Sequence, residues 1–170
     1  MPENEQKQIF YDWLKKYKGL LFKVIRAYAF NLHDQEDLFQ EITIQIWNSI
    51  PNFRGDSAAS TWVYRVSLYS AISWSKKEKK HTTGKQYLDG ISHVLTEISN
   101  IKDSRIEWLY TQIAKLNEID RSLTLLLLDG FSYKEMSNIL GISESNVGVK
   151  INRIKKDLIQ KSQEDFKNGV

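Results

Sequence analysis

The chain has 170 residues, with 24 Lys and Arg against 21 Asp and Glu, a formal net charge of +3, and no cysteine. That length holds one large domain or two small ones. With 41% hydrophobic and 26% charged residues, a largely disordered chain is excluded, and the missing cysteines exclude disulfides, thiol catalysis and thiolate zinc sites.

Two prolines and eight glycines suit a mostly helical chain. The first residues, Met1 to Lys7, are polar and do not read as a signal peptide. The longest apolar run, Leu123 to Leu128, falls far short of the roughly 20 residues that span a bilayer. A soluble, cytoplasmic protein is expected. Ile9 to Phe30 is predicted as one helix, because Phe10, Trp13, Leu14, Tyr17, Leu21, Val24, Ile25 and Tyr28 recur at helical steps. Asn31-Leu32-His33 is read as a break and Asp34 as the cap of a second helix, which runs to about Ile50 with Leu38, Phe39, Ile42, Ile46 and Trp47 as its apolar stripe. Residues 51–56 read as a loop. Ser57 or Ser60 then opens a third helix carrying Trp62, Val63, Val66, Tyr69, Ile72 and Trp74. His81 to Lys102 is predicted as a linker with one short helix. Helical periodicity returns from Arg105. The expected fold is all-α: two small helical domains joined by a flexible linker, the second a helix-turn-helix domain.

The small net charge hides a pattern. Asn31 to Phe53 holds four acids and no Lys or Arg; Arg65 to Lys85 holds six bases and one acid; Lys150 to Lys161 holds five bases and one acid. Any one block alone reads equally as a solvated helix face. Two separate basic blocks fit a two-point grip on a polyanion better.

The sharpest local signal lies at 131–158. Ser132 and Glu135 have capping-box spacing, Gly141 permits a sharp left-handed turn, and Ile142 plugs it. Ser143 then caps a second helix with Val147, Ile151, Ile154 and Leu158 inside and Ser145, Asn146, Lys150, Asn152, Arg153 and Lys156 outside. That is the layout of a recognition helix whose first turns enter the major groove. A plain helical hairpin would share the cap and the glycine but not the basic outer face in register. Gly148 inside this helix costs roughly 1 kcal/mol against Ala; it either admits a phosphate close to the backbone or is a tolerated defect.

On the second helix, Asp37, Gln40, Glu41 and Ile44 lie away from the apolar stripe. Such a face suits a basic protein partner rather than DNA, although on charge alone a solvated helix face is the better reading. An enzyme is not expected. His33, His81 and His93 are scattered, no phosphate loop or paired-carboxylate motif occurs, and the acids at 34–41 lack a histidine at ligand spacing. No cofactor or metal is therefore expected.

Residues 34–47, followed by Phe53-Arg54-Gly55-Asp56-Ser57 and Thr61-Trp62-Val63-Tyr64-Arg65-Val66, closely resemble the extracytoplasmic-function (group IV) sigma factors of bacterial RNA polymerase. Phe131 to Met136, Gly141-Ile142-Ser143 and Arg153 resemble that family's fourth region. The resemblance implies region 2 over 1–80, a linker over 81–104 and region 4 over 105–170. It implies a dissociable subunit that binds polymerase core and directs promoter-specific initiation. Asp37, Gln40, Glu41 and Ile44 would dock on the clamp coiled coil of the largest subunit. Phe53, Trp62, Arg65, Tyr69, Lys76 and Lys77 would engage the minus-ten element, with Tyr64 and Trp74 as further aromatics for holding an unstacked base. Core packing is the other reading of these aromatics: Trp62 and Val66 are expected in the core, and Tyr69 is expected either to face DNA or to pack inside. Ser143, Ser145, Asn146, Lys150 and Arg153 would read the minus-thirty-five element. An anti-sigma partner, often membrane-bound in this family, is also implied. The sequence departs from the family with Tyr69 where many members carry Asn, Ser73 where they carry Asp, Ser137 for Ala, and Gly148 for a basic residue. The alternative function is a stand-alone helix-turn-helix regulator that binds palindromic duplex without polymerase. Neither the acidic helix nor the aromatic helix is needed for that job.

Overall fold

The computed structural model describes residues 1–81 and 103–167, apart from the side chains of 78–81. Most of the expected linker, its short helix and the side chains of Lys79 and Lys80 lie outside the described residues. The described chain is all-α and forms two compact units that divide between Glu107 and Trp108.

The first unit contains α1 (Glu3–Lys16), α2 (Lys18–Tyr28), α3 (Leu32–Ser49), a 3₁₀ turn (Ile50–Asn52) and α4 (Ala59–His81). Helices α2, α3 and α4 pack together, and α1 lies against α3 and the 3₁₀ turn. Leu38, Ile42 and Ile46 step along one side of α3 and are fully buried. They meet Leu21, Val24 and Ile25 of α2 and Val63, Tyr64, Leu68 and Ala71 of α4 in the core. Phe10 packs edge-on against Trp47 at 5.4 Å, and Gln6 donates to the Trp47 carbonyl at 2.9 Å, which holds α1 on α3.

Four expectations for this unit change. The helix predicted over 9–30 is two helices. Tyr17 leaves helical geometry (φ −105°, ψ 18°), yet its N–H still donates to Trp13 and its carbonyl still accepts from Leu21. The break forfeits few hydrogen bonds, and the apolar step runs across it undisturbed. The cap of α3 is Asn31, not Asp34. Extended Asn31 accepts from the Asp34 N–H at 2.9 Å and donates back to the Asp34 carboxylate at 2.8 Å, so Leu32 and His33 fall in the first turn. Tyr64 and Trp74 are buried core residues rather than stacking groups for DNA, whereas Trp62 and Val66 are only half-buried. The fourth helix opens at Ala59, between the two candidate serines.

The second unit takes in α5 (Ser104–Ala114) from Trp108 onward, α6 (Glu118–Leu128), α7 (Tyr133–Leu140) and α8 (Glu144–Lys167). Leu123, Leu125 and Leu126 of α6, Met136 and Ile139 of α7, and Val147, Ile151 and Ile154 of α8 form its core. Buried Arg121 donates to the carbonyls of Ala114 and Leu116, both at 2.8 Å, and so satisfies groups that the end of α5 leaves open. Helix α8 runs past Leu158 and returns to α5. There Trp108 donates to Asp165 at 2.7 Å and lies 5.3 Å from the Phe166 ring.

Candidate polymerase and nucleic-acid interfaces

The buried row on α3 fixes the rotation of the helix and turns Asp37, Gln40, Glu41 and Ile44 outward on one face. Asp37, Gln40 and Ile44 are exposed, Ile44 to 53%, while Glu41 is half-buried. Two of the acids also have partners within the unit. The Trp74 indole donates to Asp37 at 2.8 Å, and Gln45 donates to Glu41 at 3.0 Å. Asp37 therefore seats a buried tryptophan as well as contributing charge.

Phe53 sits between two other rings, 5.2 Å from Trp13 and 5.6 Å from Trp62. The Trp62 indole donates to Ser49, which donates in turn to the Ile46 carbonyl. The loop after α3 is thus pinned from three elements, and Gly55 (φ +77°) lets it turn. Around it lies a hollow of about 350 Å³. Sequence reasoning missed Trp13 and Ser49 as anchors of this loop, since both are distant from it or small.

A larger open cleft of about 660 Å³ runs between Glu41, Gln45 and Asn48 on α3 and Arg65, Tyr69 and Lys77 on α4. Arg65 stacks over the Tyr69 ring at 5.7 Å, and Tyr69 remains 43% exposed. Lys76 and Lys77 are exposed beyond them. The acidic set and the basic aromatic set adjoin, with Glu41 and Arg65 lining one cleft. Gln45 and Asn48, which the charge pattern did not single out, place amides in it.

In the second unit the capping box closes as its spacing predicts: Glu135 N–H donates to Ser132 at 3.1 Å and Ser132 N–H donates back to Glu135 at 2.6 Å. Gly141 is left-handed (φ 69°, ψ 27°). Ser137 is more than a small residue, because its hydroxyl donates to the Ile142 carbonyl at 2.6 Å and ties the turn. The Ser143 hydroxyl caps α8 by accepting from Asn146 N–H at 3.1 Å. Ser145 and Asn146 are exposed on the first turns. An alanine methyl at Gly148 would meet the Tyr133 ring at 3.6 Å, an ordinary contact, so the packing does not demand glycine there.

Lys150 and Arg153 have a partner that the sequence did not reveal. Asp120 of α6 is 4% exposed. Arg153 donates to its Oδ2 at 2.8 Å, and the Lys150 ammonium stands 3.8 Å from its Oδ1, attracted but beyond hydrogen-bond length. Asn117 caps α6, accepting from Asp120 N–H at 2.9 Å and donating to Oδ2 at 3.1 Å. The available signal was spacing: Asn117-x-x-Asp120 repeats Asn31-x-x-Asp34.

The Sigma-70 region 2 family matches residues 13–81, and the Sigma-70 region 4 family matches 106–158. The two matches fall on the two units and take in most of the chain. The chain belongs to the sigma-70 family, in its extracytoplasmic-function group. RNA polymerase sigma factor YlaC of Bacillus subtilis is 25% identical over 162 residues, covering 91% of this chain and 94% of that protein. The ECF RNA polymerase sigma-E factor of Escherichia coli is 28% identical, covering 76% of this chain and 74% of that one. Among solved structures, CnrH in complex with the cytosolic domain of CnrY matches with a TM-score of 0.63 at 16% identity, over 94% of this chain and 90% of that one. The sigma factor RpoE bound to the anti-sigma factor NepR, from Bartonella quintana, matches at 0.65 and 14% identity, over 88% and 95%. These two establish likeness of fold. This sigma factor is an alternative initiation factor that binds RNA polymerase core and promoter DNA and directs transcription initiation. Sigma factors are non-catalytic DNA-binding regulators. Among the described residues no helix is long and apolar enough to cross a membrane, and no group of three or more His, Asp and Glu side chains is placed to hold a metal.

Proposed function

We propose that residues 1–80 carry core and minus-ten binding, 81–104 connect, and 105–170 bind the minus-thirty-five element. The observation that carries this division is the junction on the first unit, where the outward α3 face of Asp37, Gln40, Glu41 and Ile44 borders the Arg65–Tyr69 face of α4. An acidic rim around one apolar residue suits a basic coiled coil: the charges steer the encounter and Ile44 supplies buried contact. A basic aromatic face beside it can take phosphates on Arg65, Lys76 and Lys77 and an unstacked base against Tyr69, Trp62 or the Phe53 loop. On α8, Ser145 and Asn146 supply groove-reading groups and Lys150 and Arg153 supply phosphate contacts, while the Ser143 hydroxyl is used by the cap.

In this reading the protein catalyses nothing itself, acts in the cytoplasm where core and promoters are, and is held off by an anti-sigma partner that covers the same faces. The solved relatives bound to CnrY and NepR motivate the last point. The test is transcription by purified core on genomic fragments. Core with this protein should start transcripts at defined sites that core alone does not use. No gain in site-specific starts, together with a tight core-independent footprint on an inverted repeat, would overturn the reading in favour of a stand-alone regulator.

A further inference from the structure

We propose that Asp120 is a positioning residue for promoter reading, which fixes Arg153 and restrains Lys150 on α8 and so exchanges indiscriminate phosphate affinity for sequence discrimination. The inference rests on the reading that α8 meets promoter DNA. A carboxylate only 4% exposed needs compensation for lost hydration. Asp120 is held from below by Asn117, and it lies in the first turn of α6, where the helix dipole favours an anion. Its remaining compensation comes from α8, from two bases three residues apart on one face. Arg153 is hydrogen-bonded to Oδ2, while Oδ1 is buried, has no hydrogen-bond partner, and has the Lys150 ammonium 3.8 Å away.

The geometry has two consequences. The Arg153 side chain is 62% exposed even though one of its nitrogens is engaged. Its other N–H donors face outward from a guanidinium whose orientation is already set, so a docking strand meets an ordered fork rather than a flexible chain. At the same time the carboxylate offsets positive charge on the DNA-facing side of α8, which weakens attraction to phosphates regardless of sequence. Lys150 is the adjustable member, close enough to be drawn to Oδ1 in the free protein and free to swing to a phosphate.

The test uses Asp120→Asn, which keeps the shape and removes the charge. Wild-type holoenzyme first selects from duplexes randomised across the upstream element, and the enriched sequence becomes the specific probe, with random-sequence duplex as the other. The variant should lose about tenfold in the ratio of specific to random affinity, the size of one mispositioned base or phosphate contact. For the full chain alone on random duplex, the dependence of log affinity on log salt should steepen by about one. Arg153→Lys, which keeps the charge but not the fork, should lower the ratio without steepening the salt dependence. An unchanged ratio overturns the proposal. So does a parallel fall of both affinities with a lower melting temperature, which is what a purely structural carboxylate would give. Asn146→Ala separates the two layers. If it leaves the ratio intact, α8 is not the reading helix; if it lowers the ratio while Asp120→Asn does not, only the role of Asp120 fails.

Discussion

Asn31-x-x-Asp34 and Asn117-x-x-Asp120 are the same local device in two different surroundings. Each asparagine accepts from the amide three residues on, at 2.9 Å, and donates its own amide to the aspartate carboxylate. Asp34 stays half-exposed and serves its own cap. Asp120 is covered by α8 and becomes the counter-charge for two bases. Spacing therefore specifies the cap, and the helix laid over it decides whether the acid remains a surface group or becomes the centre of a partly buried ion network.

The contrast can be broken by substitution. Arg153→Ala should have the largest effect, lowering the stability of the second unit by about 2 kcal/mol, because it leaves the buried carboxylate with weaker partners. Thermal melting followed by circular dichroism would show it, with exposed Lys156→Ala as the control that barely moves. Asn117→Ala should cost more than Asn31→Ala, about 2 against about 1 kcal/mol, since the first also removes a donor from a buried acid. Equal losses would mean that the burial of Asp120 adds nothing to its cap. Asp165→Ala should cost about 1 kcal/mol and shift the indole N–H resonance of Trp108, since it removes the acceptor that closes α8 on α5. The smallest effect is a gain. Gly148→Ala should raise stability by up to about 1 kcal/mol, because helix propensity improves and the methyl meets Tyr133 at an ordinary distance.

The helix-turn-helix was legible because cap, turn and second cap are all local, and each closes within a few residues. The outward face of α3 was legible because Leu38, Ile42 and Ile46 repeat cleanly. Helix α4 was harder to read. Its buried side includes Ser67, Ser70 and Ser75. Ser67 and Ser70 donate to the carbonyls of Val63 and Val66, both at 2.7 Å, and so need no other partner. An apolar count skips such residues, so the stripe looked displaced toward Trp62 and Val66, and Trp74 looked available to DNA. The break at Tyr17 left no mark because the apolar spacing continues across it. Asp120 was invisible for a different reason: its partners lie 30 and 33 positions further along the chain, and only packing brings them to it.

The division of labour depends most on the α3 face, and its affinity for polymerase core tests it most directly. The variant combines Gln40→Ala, Glu41→Lys and Ile44→Asp and leaves Asp37 in place, since Asp37 also seats Trp74. Fluorescence titration of labelled protein with core should show at least about a tenfold weaker Kd for the variant, equivalent to roughly 1.4 kcal/mol, at an unchanged melting temperature. Equal affinity for core would contradict the account.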